Sequence, residues 1–187
     1  MTLYAIALFL HITGALGLFA GFALEWTALS GLRRATTAEQ AREWASIFRF
    51  VRGIGPVSVG LLLVFGIYLT VASGGPTPWI GLGFLSLVAI MALGAVSGVR
   101  FGRAAASTVV GSGPLSVHAR EALRRPLFVW SLRLRVALAL AVVFLMTVKP
   151  ETPVALAIVV GALVLAALAT ATTSRAAPMG AAATPRG

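Results

Sequence analysis

The sequence predicts an all-α membrane protein, a polytopic transmembrane helical bundle of about five spans. Of its 187 residues, 59% are hydrophobic and 11% are charged, whereas an ordinary soluble domain is roughly 45–50% apolar. The mean hydropathy is +0.97. Several stretches approach the roughly 20 apolar residues that a helix needs to cross a bilayer. A soluble domain of this size could not bury so much apolar surface, so residues 1–171 are expected to form a single transmembrane domain.

Five apolar segments are the predicted spans. The first has no positive segment before it and no small-residue cleavage site close behind it, so it is expected to be a retained span and not a signal peptide. The second is short for a hydrocarbon core of about 30 Å, and an adjoining helix is expected to lengthen it. The fifth has no polar residue that would demand burial, which predicts a peripheral position. The predicted boundaries are 3–29, 56–73, 79–99, 127–148 and 153–171.

The connection between the first two spans predicts a helix of its own. A capping-box pattern at 36–39 is followed by apolar residues at helical spacing, with charged residues on the opposite face. We expect an amphipathic cytoplasmic helix that lies on the inner leaflet and leads into span two through 53–56. A docking site for a cytoplasmic partner would give the same pattern. The apolar face consists of Ala41, Trp44, Ala45, Ile47, Phe48 and Val51.

The connection between spans three and four and the C-terminal segment also have recognisable sequence patterns. Residues 102–126 predict a helical extension, a Gly-Ser-Gly-Pro turn and a short basic helix. Residues 172–187 are rich in Ala, Pro and Gly, a composition typical of a disordered tail.

The basic residues predict the orientation. All fifteen Lys and Arg residues except Lys149 lie after spans one and three, at the start of span four, or in the tail. Because cytoplasmic loops carry an excess of Lys and Arg, the N-terminus is expected outside and the C-terminus in the cytoplasm of a bacterial plasma (inner) membrane. This topology accounts for the net charge of +10. The lipid bilayer is therefore the expected partner, and no nucleic-acid partner is predicted.

Several classes of chemistry are excluded by residues that the sequence lacks. There is no cysteine, which excludes disulfides, thiolate metal sites and cysteine nucleophiles. There is no aspartate, so neither a Ser-His-Asp set nor a paired-aspartate site can form. No Walker loop or HExxH motif is present. No catalytic residue is predicted, and a non-enzymatic role is favoured over an enzymatic one.

The first span has one face that combines polar and small residues. These residues recur at intervals of 3, 4, 3 and 4 positions, which places them on one side of a helix. Small residues four apart let membrane helices approach closely, so this face is expected to point into the bundle. The third span has a similar pair, Gly94 and Gly98, which could pack against another span or a second copy of the chain. The face of span one consists of His11, Gly14, Leu18, Gly21 and Glu25, with Gly17 beside it.

Glu25 lies near the inner boundary of span one, where an acidic group costs less than at the bilayer centre. Its predicted partner is Arg100, Arg133 or Arg135, which lie at similar depth on other spans. Because Arg133 and Arg135 project about 200° apart, at least one should face protein. A structural ion pair is the favoured interpretation, and a proton or ion relay is the alternative.

His11 lies in the outer half of the same span, where a histidine either bonds across helices or serves a site. His118 is predicted on the opposite side of the membrane and cannot share its layer. Met146 lies at comparable depth and Met91 nearer the middle. His/Met pairs bind haem iron, and Cu(I) accepts both ligands. The cofactor therefore stays open between haem b, copper and none.

The stretch LFLHITGALGLFAGFALEWTAL, followed by a basic loop and further short spans, resembles small bacterial integral-membrane proteins. It is loosely similar to the copper-resistance-D-like group, which includes membrane protoporphyrinogen oxidases of the J type. The resemblance covers about the first hundred residues and lies in the early histidine and the glycines that follow it. It implies a helical bundle that handles haem or copper, with His11 as the corresponding position.

Three hypotheses for function follow. The first is a non-enzymatic accessory or structural membrane component in which His11 and Glu25 hold helices together. The second is a haem- or copper-binding protein with a redox or metal-handling role centred on His11. The third is a small proton-coupled transporter that uses Glu25. A homo-oligomer and a membrane protein partner both stay open.

Overall fold

The computed structural model describes residues 2–108 and 112–175, without the side chains of 104–108 and 170–175. This part of the chain contains six α-helices and no β-strand. Five segments are long and apolar enough to cross a membrane, the fourth including both α4 and α5. The prediction of an all-α protein with five spans is thus confirmed. The helices are α1 (Leu3–Arg34), α2 (Ala38–Ala72), α3 (Pro78–Thr108), α4 (Val117–Leu123), α5 (Pro126–Val148) and α6 (Thr152–Arg175).

The prediction of a separate amphipathic helix between spans one and two is wrong. Residues Ala38–Ala72 form one continuous helix, with Pro56 inside it. The apolar face that suggested a membrane-surface helix includes Ala41 and Phe48, which are buried in one cluster with Leu29 and Leu32 of α1. Protein therefore covers this face, in place of lipid headgroups. Proline interrupts helices less in membranes because neighbouring groups satisfy the freed backbone.

Two other elements extend beyond their predicted ends. The third span continues to Thr108, so the predicted helical extension is part of α3, and the short basic helix is α4. Helix α6 continues to Arg175, so residues 172–175 are helical although the tail was predicted to start at 172. The rest of that predicted tail, residues 176–187, lies outside the described residues.

The helices pack as a pair, α1 with α2, and a group of three, α3, α5 and α6. Helix α1 lies along α2, while α5 lies between α3 and α6 and also contacts α1. We call the end of the bundle where α1 ends and α2 begins the basic end. A cluster of aromatic rings fills it: the ring centroids of Phe48 and Phe101 are 4.1 Å apart, and those of Phe101 and Phe128 are 5.1 Å apart. These contacts join α2, α3 and α5.

The two connections at the basic end are tied together by backbone hydrogen bonds. The Leu115 N–H donates to the Thr36 carbonyl at 2.9 Å, and the Ala38 N–H donates to the Gly113 carbonyl at 2.9 Å. The Glu39 carboxylate in turn accepts from the Gly113 N–H at 3.1 Å. The start of α2 and the segment before α4 are thereby held against each other, which fixes the basic end of α2 relative to α4.

Candidate functional site

Glu25 of α1 and Arg135 of α5 form a buried ion pair with two parallel hydrogen bonds. Arg135 Nη1 donates to Glu25 Oε2 at 2.9 Å, and Arg135 Nη2 donates to Glu25 Oε1. The third donor group, Nε, lies 3.3 Å from the carbonyl of Ser131 one turn earlier. The side chains of Arg135 and Glu25 are only 7% and 11% exposed. Both carboxylate oxygens and all three guanidinium nitrogens are therefore engaged within the bundle.

The other two arginines considered as partners of Glu25 have different neighbours. Arg133 Nη1 donates to the Ala169 carbonyl of α6 at 2.8 Å, and its guanidinium carbon lies 5.9 Å from the centre of the Trp26 ring. Arg100 is exposed on α3. Arg133 and Arg135 point to opposite sides of α5, as residues two apart on a helix must. One joins α5 to α6, and the other joins α5 to α1.

A cavity of about 340 Å³ lies beside the ion pair. It is lined by buried residues of α1, by residues of α2 and α3, and by Arg135 of α5. Met91 lines it, as do Gly94 and Gly98. A Cβ at Gly94 would lie 3.5 Å from Arg135 Nη1, whereas one at Gly98 would have no atom within 4 Å. The small-residue pair of α3 therefore packs on Arg135 at one position and opens to the cavity at the other.

The glycines of span one lie against α2, and two of them, Gly14 and Gly17, contact Ser58. A Cβ at Gly14 would lie 2.9 Å from the Ser58 carbonyl oxygen, and one at Gly17 would lie 2.5 Å from the Ser58 hydroxyl. Gly21 is less tightly packed, since its nearest neighbour would be an Ile54 carbon at 3.8 Å. Close approach of α1 and α2 thus depends on Gly14 and Gly17.

Sequence reasoning missed two residues of the α1–α2 contact. Ser58 is buried, and a small polar residue inside an apolar span was the available signal. Gly31 lies under the Trp44 ring, where a Cβ would fall 2.1 Å from a ring carbon. The sequence predicts that Trp44 faces the membrane surface, and this prediction does not point to a contact with α1.

His11 bonds to the backbone of α2. Its Nδ1 lies 3.0 Å from the Leu62 carbonyl oxygen, and because a carbonyl only accepts, Nδ1 carries the proton in this bond. The ring also lies against Gly66, where a Cβ would be 3.1 Å from Cε1. His11 is half-buried and does not line the cavity.

The methionines considered as second ligands have other neighbours than His11. Met146 Cε packs on Gly83 of α3, 3.1 Å from where a Cβ would lie, and Met91 lies in the cavity. His118 is exposed on α4. Within 2–108 and 112–175, no group of three or more His, Cys, Asp or Glu residues could hold a metal ion. His11, Met146 and Met91 thus contact different parts of the bundle and do not form one ligand set.

Comparisons with protein-family models, with curated proteins and with solved structures found no match. Function is therefore inferred from the geometry of the bundle. The two features that carry it are the closed ion pair and the hydrogen bond from His11 to α2, both of which join helices.

Proposed function

We propose that the protein is a non-enzymatic, multi-pass component of the bacterial plasma membrane, an accessory or structural protein whose bundle is fastened by Glu25 and Arg135. The single observation that supports this is the completeness of the pair. Each guanidinium nitrogen and each carboxylate oxygen makes a hydrogen bond within α5 or between α1 and α5. A planar guanidinium matched to a carboxylate in this way fixes geometry as well as charge.

The same geometry argues against a proton-coupled transporter at Glu25. A carboxylate that relays protons must exchange its partner or reach water during the cycle. Both oxygens of Glu25 face a single partner that is itself tied to the Ser131 carbonyl. Release of Glu25 would leave a buried guanidinium unpaired, which is costly.

The proposal includes an orientation, with the basic end in the cytoplasm, and the absence of cysteine makes it simple to test. Thr77, between α2 and α3, and Ser112, before α4, are both exposed. In intact spheroplasts, a membrane-impermeant maleimide is expected to label Thr77→Cys and to leave Ser112→Cys unlabelled until the membrane is opened. Labelling of Ser112→Cys alone would reverse the orientation.

A second candidate function, haem or copper binding at His11, is favoured by one observation. A histidine that binds a metal usually donates its other ring N–H to a carbonyl or carboxylate. With Nδ1 donating to Leu62, Nε2 is the ring nitrogen of His11 that could bind a metal. Only one ligand is in place, however, because Met146 packs on Gly83 and Met91 lines the cavity. The residues therefore fit a one-ligand site and not a His/Met pair.

One experiment separates the two functions. Protein purified in mild detergent after growth with added haem and copper is expected to have no Soret band and no stoichiometric copper. His11→Gln should then lower the free energy of unfolding by only about 0.5–1.5 kcal/mol, the net value of a hydrogen bond, since an amide replaces part of the bonding. A Soret band or bound copper that disappears in His11→Gln would replace the structural role with the cofactor role.

A further inference from the structure

The cavity beside the ion pair opens sideways, between α2 and α3. Its lining residues from α1 are buried, whereas Pro56 on α2 and Met91 and Val99 on α3 are exposed. Because both helices are spans, the mouth between them faces the hydrocarbon region of the bilayer. The lining is largely apolar side chains and glycines. A molecule that enters would come from the membrane and would present an apolar portion.

A cationic group stands at the basic end of this mouth. Arg52 lines the cavity and is exposed. Its Nη1 lies 3.8 Å from where a Cβ of Gly102 would be, so the side chain reaches from α2 across to α3. No hydrogen bond or ion pair joins Arg52 to another residue in the part of the chain that the structure describes. Its charge is thus available to a ligand.

The surroundings of Arg52 strengthen the positive charge. Arg49 lies one turn earlier on α2, and Arg100 and Arg103 are on the facing helix, all exposed. Helix α3 contains no acidic residue. Glu25, the one acid among the described residues that line the cavity, is neutralised by Arg135. An anion at the mouth would therefore meet net positive charge.

We propose that this cavity holds one anionic phospholipid, with part of an acyl chain in the apolar space between α2 and α3 and the phosphate on Arg52. A basic pocket between spans at the cytoplasmic face is a recurrent way of holding an anionic headgroup. The volume of about 340 Å³ is at the small end of ligand cavities, which suits part of one chain and not a whole lipid. The occupant would bind whether or not His11 or Glu25 has a further role.

Lipid binding to the full chain in detergent tests this by native mass spectrometry. Phosphatidylglycerol and phosphatidylcholine with identical acyl chains are titrated in parallel. One equivalent of phosphatidylglycerol is expected to bind at lower concentration than phosphatidylcholine. Arg52→Gln should raise the dissociation constant for phosphatidylglycerol about fivefold, the effect of removing one basic residue. Arg125→Gln removes the same charge at an exposed position outside the cavity and should leave binding unchanged.

Gly98→Leu tests the apolar part of the site. Gly98 lines the cavity and a Cβ there would have no atom within 4 Å, so the larger side chain is expected to exclude the acyl chain and weaken the binding of both lipids. Equal binding of the two lipids by the wild type, or unchanged phosphatidylglycerol binding in Arg52→Gln, would overturn the proposal. Arg52 is exposed, so its variant keeps the test decisive if Gly98→Leu fails to assemble. Retained binding in a folded Gly98→Leu protein would place the lipid elsewhere and would also overturn it.

Discussion

Arg135→Met is expected to lower the free energy of unfolding by about 3–5 kcal/mol, the usual cost of removing one partner from a buried ion pair. The cost arises because the Glu25 carboxylate would stay buried with both oxygens unpaired. Glu25→Met should lower the free energy of unfolding by a similar amount, since the Arg135 guanidinium would then be buried without its carboxylate partner. Unfolding by SDS titration in mixed micelles measures both values.

The double variant Glu25→Met/Arg135→Met carries the decisive comparison. Replacing a whole buried pair by apolar groups of similar size is often nearly neutral, so the double variant should be much more stable than the sum of the single effects predicts. Arg133→Met is the matched control on the same helix. Arg133 is only half-buried and bonds to a backbone carbonyl, so its loss should be smaller. Additive single effects would show that Glu25 and Arg135 are not coupled, contrary to the proposed fastening role.

Gly14→Leu is expected to cost about 3 kcal/mol, the upper end of the usual penalty for overpacking. A Cβ at Gly14 would already lie 2.9 Å from the Ser58 carbonyl oxygen and 3.1 Å from the Leu62 backbone nitrogen. These are backbone atoms that cannot rotate away, so α1 and α2 would have to separate. The separation would also lengthen the hydrogen bond from His11 to the Leu62 carbonyl.

Gly60→Leu is the matched control for the Gly14 prediction. It makes the same substitution in α2, where a Cβ would have no atom within 4 Å, so the free energy of unfolding should change by no more than about 0.5 kcal/mol. SDS titration again gives the stability of each variant. Equal stability of the two variants would mean that Gly14 does not set the distance between α1 and α2.

The number of candidate spans could be predicted from the sequence, because the hydropathy of a segment depends only on its composition. It also narrowed the partner of Glu25 to three arginines at one depth. It could not choose between Arg133 and Arg135, since that choice depends on how α5 is rotated between α1 and α6. Arg133 donates to the Ala169 carbonyl of α6, and Arg135, on the opposite side of α5, therefore points toward α1.

The shared face of His11 and Glu25 shows where periodicity stops being informative. The two residues are 14 positions apart, and at 3.6 residues per turn their directions differ by about 40°. This difference suffices for His11 to meet α2 and for Glu25 to meet α5. The continuity of α2 through Pro56 was hidden for a different reason. Glycine and proline at 53–56 are typical of a break in water, but α2 is helical through them.

The 110 residues that separate Glu25 from Arg135 impose an order on biosynthesis. At the usual speed of translation, Glu25 is made roughly 5–20 s before Arg135. The contacts of Gly14 and Gly17 with α2 need only the first 72 residues, so the first helical hairpin can close during that interval. Its acid then waits without a partner. Because an unpaired carboxylate is costly in the hydrocarbon core, Glu25 is expected to stay close to water until the segment that contains α5 has been made.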